Sequence, residues 1–158
     1  MKCVAMPLRS KRQTPSPYDK NVTHKEQLTG LDSVRFLRDY FAKRNIELSD
    51  FEPDHGLVRD LDSRDQAQAP KLMRRGADEY LVYHPNAASD GKAAKVDAGR
   101  KARLRLDLKA AAGTFRVEWY HPEDGQAHDG GTVEGGDPRD RTSPWKGSDV
   151  VVRLVQQK

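Results

Sequence analysis

The chain has 158 residues, 33% of them charged, with a net charge of +4 and a pI near 9.2. That length suits one domain on the order of 100–200 residues, and no apolar run exceeds four residues, as in Tyr80–Tyr83, against about 20 for a membrane-spanning helix. The basic excess lies at the start, where Lys2, Arg9, Lys11, Arg12 and Lys20 face only Asp19. A nucleic-acid-binding domain carries its excess on the folded face that meets phosphate, so neither nucleic acid nor membrane is an expected partner.

Residues 1–22 are polar and turn-rich, with Thr14-Pro15-Ser16-Pro17, and are expected to form a disordered basic tail. Their apolar stretches are too short for a signal peptide, so no export signal is expected and localisation stays open. Cys3 is the only cysteine, which excludes an intrachain disulfide and a cysteine-based metal site. Thr23-His24-Lys25-Glu26 has capping-box spacing and predicts a helix start near Thr23. Leu28, Leu31, Val34, Leu37 and Phe41 then recur at three or four, widened by Phe36 and Tyr40, opposite Arg35, Arg38, Asp39, Lys43 and Arg44. This is an amphipathic helix that ends near Asn45 and needs a partner surface. The stretch from Leu48 to Val58 reads as irregular, and a polar linker follows, so residues 23–66 form a helix-and-linker segment.

From Lys71 the period becomes that of a strand. Lys71–Met73 and Glu79–Tyr83 flank a hairpin-length loop containing Gly76. Residues 85–101 read as a long loop. Arg103–Leu108 alternates strictly, with Leu104, Leu106 and Leu108 inward, and Gly113–Tyr120 alternates again with Phe115, Val117 and Trp119 on one face. His121-Pro122-Glu123-Asp124-Gly125 is turn chemistry. Short strands are expected at 126–128 and 132–134 between glycine pairs, and Asp149–Val155 closes the chain. The expectation is a mainly β protein: an antiparallel β-sandwich over 67–158, preceded by one amphipathic helix and the disordered tail.

Two aromatics are the candidate binding residues. Trp119 reads as core, whereas Tyr120 points to the opposite face, where it could meet a ligand or a neighbouring domain. Trp145 lies in a Pro-Trp-Lys-Gly stretch read as a loop, where an exposed ring could stack on a sugar. His84, His121 and His128 follow strands but lack the local spacing of a zinc site, and Asp129–Asp137 lacks a calcium-loop pattern. Gly76, Gly130 and Gly135 form no phosphate loop. No cofactor, no metal and no catalytic residue is expected.

Residues 71–155 resemble a family, the small C-terminal β-sandwich of bacterial glycoside-hydrolase-like proteins named as the collagen-binding domain of a collagenase. The matching stretches are Gly76–Pro85, Ala102–Leu108, Gly113–Gly125 and Pro144–Leu154. Upstream, Ser33–Phe41 with Phe51-Glu52-Pro53-Asp54 looks like the last helix and exit segment of the catalytic barrel in those proteins. Val150 stands where that family often has Trp, and residues 86–101 are an insertion. A complete barrel takes about 250 residues, more than the chain has. The resemblance implies a non-catalytic accessory module whose partner is a glycoside-hydrolase-like barrel, in cis or in trans, with polysaccharide or collagen as further partners. The alternative is a free-standing carbohydrate- or protein-binding lectin-like module.

Overall fold

A computed structural model describes residues 29–64, 69–85 and 99–157. The expected disordered tail, the helix start at Thr23 and most of the expected long loop lie outside the described residues. The chain runs α1 (Thr29–Lys43), β1 (Glu52–Pro53), β2 (Val58–Asp60), β3 (Lys71–Arg75), β4 (Glu79–His84), β5 (Lys101–Asp107), β6 (Thr114–His121), β7 (Gln126–Glu134), β8 (Pro138–Lys146) and β9 (Val150–Gln156). The strands form two antiparallel sheets. One has six strands in the order β1-β3-β4-β9-β6-β7, and the other has three in the order β2-β5-β8.

The core between the sheets follows from the period-two alternation. β6 sends Phe115, Val117 and Trp119 inward, β9 sends Val150, Val152 and Leu154, and β5 answers from the other sheet with Ala102, Leu104 and Leu106. Each of these is at most 3% exposed. The mainly β, antiparallel architecture is the expected one.

The helix belongs to this structure as a third layer. Leu81, Tyr120 and Val151, on the outer face of the large sheet, form a second apolar cluster with Tyr40, Ile46 and Phe51, against which Phe36, Leu37, Phe41 and Met73 also pack. The seam facing the sheet is therefore the Phe36–Leu37–Tyr40–Phe41 side, and Leu31 and Val34, expected on that stripe, are each 63% exposed. Asn45 ends the helix with φ +51, and the Ile46 amide reaches back to the Phe41 carbonyl, the six-to-one bond of a Schellman cap.

Three local expectations are corrected. The stretch 48–58, read as irregular, contains β1 and the start of β2, which extend the two sheets at their edges. The two short strands expected around the glycine pair 130–131 are one nine-residue strand, β7. Its pairing with β6 jumps from Arg116–Thr132 to Glu118–Asp129, so Gly130 and Gly131 together oppose Val117 in a bulge, with Gly131 at φ +73. Finally, Pro144-Trp145-Lys146, read as part of a loop, is the end of a strand that begins at Pro138. β8 is the edge of the small sheet, where Pro144 can lack an amide proton without breaking a central ladder.

Candidate functional site

Tyr120 is where the alternation puts it, on the outer face of β6, but it is 3% exposed because α1 covers it. Its ring stacks on Tyr40 at 4.1 Å between centroids. The expected surface position is thus corrected: the partner of Tyr120 is a helix of its own chain. Beside this stack, Glu118 accepts a hydrogen bond from the Tyr40 hydroxyl at 2.9 Å and two from Arg44, at 2.5 Å from Nε and 2.6 Å from the second nitrogen. Burial alone would raise the Glu118 carboxyl, but the Arg44 and Tyr40 hydrogen bonds and the charges of Arg44 and Arg153 outweigh it and hold it below the usual carboxylate value. Burial and the same carboxylate push the Tyr40 phenol up, so it remains a proton donor. Next along the sheet, buried Glu79 is bound by Arg153, 2.6 Å from its Nε, and by Arg75. These charge-assisted contacts hold the helix layer and strand ends in place.

A second polar cluster ties the two sheets together. His84 of β4, fully buried, has Nε2 2.8 Å from Asp60 Oδ2 of β2, and Arg100 meets the same oxygen. The other Asp60 oxygen accepts the amides of Asp62 and Ser63 at 2.8 and 3.2 Å. Burial lowers the His84 imidazole below its ordinary value, more than Asp60 raises it. Asp60 would be raised by burial, but the Asp62 amide, His84 and Arg100 bring it down. The histidine of this pair is closed to solvent and braces the sandwich, while Asp60 also lines a cleft of about 850 Å³ with His55, Arg59, Arg64 and Lys71.

Trp145 lies on β8 and points inward, half-buried, which corrects its expected place in an exposed loop. Its ring sits 5.0 Å from that of His121 and 6.2 Å from that of His128. The inward residues of β8 are Arg139, Arg141, Ser143 and Trp145, and the two arginines donate to the Glu134 and Thr132 carbonyls of β7 at 2.8 Å each. They close the open side of the sandwich with hydrogen bonds. A cleft of about 480 Å³ opens there, lined by Lys101, Trp119, His128, Asp129, Asp140 and Thr142 among others. The sequence placed Tyr120 and Trp145 together as candidates; the structure puts them on different faces of β6 and β8, one under the helix and one at the sandwich edge. What the sequence reading missed is this cleft, whose polar lining comes from the unrecognised strand β8. The alternating signs of Arg139-Asp140-Arg141 were its one local signal.

Among the described residues, no group of three or more His, Cys, Asp or Glu side chains converges as a metal site. No described helix is long and apolar enough to cross a membrane.

The fold thus defines a helix-backed antiparallel β-sandwich. No family model matches the chain, and no curated protein matches it. Among solved structures it is similar to one described as a glycoside hydrolase, with TM-score 0.59 and 16% identity, over 82% of this chain and 26% of that one. It is also similar to a glycoside hydrolase family 5 protein from Bacteroides vulgatus, with TM-score 0.59 and 18% identity, over 81% of this chain and 24% of that one. The shared fold is what this likeness establishes, and the chain spans about a quarter of the length of either neighbour.

Proposed function

We propose that this chain is a non-catalytic accessory β-sandwich that packs on a glycoside-hydrolase-like barrel, in cis within a longer protein or in trans. The observation that carries this reading is the asymmetry of coverage: four-fifths of this chain corresponds to only about a quarter of each glycoside hydrolase it is similar to. The exposed Leu31 and Val34 on the outer side of α1 supply an apolar contact patch for such a partner. The test is sedimentation velocity with the Bacteroides vulgatus family 5 protein lacking the quarter of its chain that this one matches. A one-to-one complex, weakened by Leu31→Ser with Val34→Ser, is the expected result; absence of a complex at about 100 µM of each protein contradicts it.

A second reading, a free-standing lectin-like module that binds carbohydrate or protein, draws on the cleft between β7 and β8 and on Trp145 beside it. Trp145→Ala should then weaken glycan binding, whereas Tyr120 is spoken for by Tyr40 and is no longer a candidate contact. Collagen belongs to the name of the resembled family, and no residue of this chain argues for it.

A further inference from the structure

α1 covers part of the outer face of the large sheet, whereas the outer face of the three-stranded sheet is charged and bears two pairings that a sheet ordinarily avoids. Arg59 of β2 stands directly opposite Arg105 of β5, and Lys101 of β5 stands directly opposite Lys146 of β8. Like charges directly opposite one another destabilise a sheet. Arg103 lies between the two pairs on β5, and Lys109 follows the strand. Three carboxylates are interspersed: Asp62 is 2.7 Å from Arg103, Asp140 takes Arg105 in a two-point contact at 2.5 and 2.6 Å, and Asp107 accepts the Lys109 amide at 3.1 Å. Six cations against three carboxylates leave the face positive, although residues 25–158 as a whole balance.

This face also has relief. A cleft of about 330 Å³ is lined by Leu57, Arg59, Arg105, Asp107, Lys109 and Pro138. The 480 Å³ cleft on the other side includes Lys101, Asp140 and Thr142. The Arg105–Asp140 pair therefore joins the two clefts, one residue lining each.

We propose that this face binds an acidic polysaccharide, laid along β5 from the Lys101–Lys146 pair to the Arg59–Arg105 pair. The pairs lie four positions apart along β5, about 13 Å, so a small anion cannot relieve both repulsions whereas a chain with repeated acidic groups can. The interspersed Asp62, Asp107 and Asp140 accept hydrogen bonds from sugar hydroxyls. They would repel a duplex that presents one phosphate charge per about 1.7 Å. A ligand that alternates carboxylates with hydroxyl donors matches this pattern, and poly-glutamate, which has no hydroxyls, does not. The choice of a saccharide rests on the accessory-module reading; the choice of an acidic one rests on the charges.

The experiment titrates the full chain with polygalacturonate by calorimetry at low and high salt, with an uncharged galactan, double-stranded DNA and poly-glutamate as comparison arms. Arg59→Ser combined with Lys146→Ser removes one member of each like-charge pair, and Arg38→Ser removes an exposed arginine on α1 as a control. The expected result is salt-sensitive polygalacturonate binding, weakened about tenfold or more by the double variant and unchanged by the control, since one charged contact carries about that factor. The melting temperature of the double variant should hold or rise as repulsion is relieved. Equal affinity in the double variant, equal binding of the uncharged galactan, or tighter binding of DNA or poly-glutamate overturns the proposal. Barrel association is read separately by sedimentation, so a failure of either reading leaves the other measurable.

Discussion

Tyr40, Arg44, Glu118 and Tyr120 join helix to sheet by ring stacking and hydrogen bonds, and their neighbours show why one residue's surroundings decide its cost. Trp119 and Tyr120 point to opposite faces of β6, yet each is 3% exposed. Trp119→Ala and Tyr120→Ala should therefore destabilise by similar amounts, about 3–5 kcal/mol each, in chemical denaturation. A Tyr120→Ala cost within about 0.5 kcal/mol of wild type would mean that α1 does not cover the sheet in solution. The strand period alone assigned both residues to the correct faces. It could not tell that the outer face is dry, because the cover comes from a helix about 80 positions away in sequence, whose seven apolar residues spread over too wide an arc to mark which side docks.

Acid should weaken the fold in two stages. The buried His84 is lowered in the folded state, so the unfolded chain takes up its proton first, and stability complete above about pH 6.5 falls as the pH drops below it. Asp60 and Glu118, also lowered, keep their contribution above the ordinary carboxylate range and lose it as the pH falls through about 4 and below. Melting temperature followed from pH 8 to pH 3 should show both declines, and His84→Gln should flatten the upper one. An unchanged slope between pH 7 and pH 5 in that variant would contradict the buried, neutral histidine.

At the scale of elements, the strands with apolar alternation were legible and those without it were not. β5, β6 and β9 announce themselves through Leu104–Leu106, Phe115–Val117–Trp119 and Val150–Val152–Leu154. β8 turns Arg139, Arg141 and Ser143 inward before Trp145, so its inward side carries a single apolar residue and no apolar alternation, and Pro138 and Pro144 disguise it further. β7 was divided at its glycines because a bulge and a turn use the same residue type. Gly130 is needed for space: a Cβ there would lie 2.7 Å from Val117 Cγ1 and 2.9 Å from Trp119 Cδ1. Gly130→Ala should cost about 1–3 kcal/mol by crowding the core. Leu31→Ser, on the exposed side of α1, should change stability by no more than about 0.5 kcal/mol. If Leu31→Ser proved the costlier of the two, the helix would be docked by its other side.

At the scale of the molecule, the described residues leave open surfaces of distinct character. They include the apolar outer side of α1, the charged face of the small sheet, the cleft at the β7–β8 edge and the cleft of about 850 Å³ beside Asp60. Several acids in turns and strands serve as hydrogen-bond acceptors. Asp124 takes the Gln126 amide at 3.0 Å, Asp129 the Gly131 amide at 2.9 Å, and Glu118 and Glu79 are held by arginines. Glycosidic cleavage requires two carboxyl groups about 5–10 Å apart, one kept protonated by its surroundings. Glu118 and Asp60, the partly buried acids whose values shift, both move the opposite way, towards the ionised form.

The most direct test of the claim that this chain contributes a surface and no chemistry is a hydrolysis assay on the purified protein. Chromogenic glycosides and reducing-end release from polysaccharides would be followed over pH 4–8. The account predicts no turnover above buffer. Turnover that follows the chain through purification and disappears on changing one of its carboxylates, Asp129, Asp140 or Glu123, would contradict it.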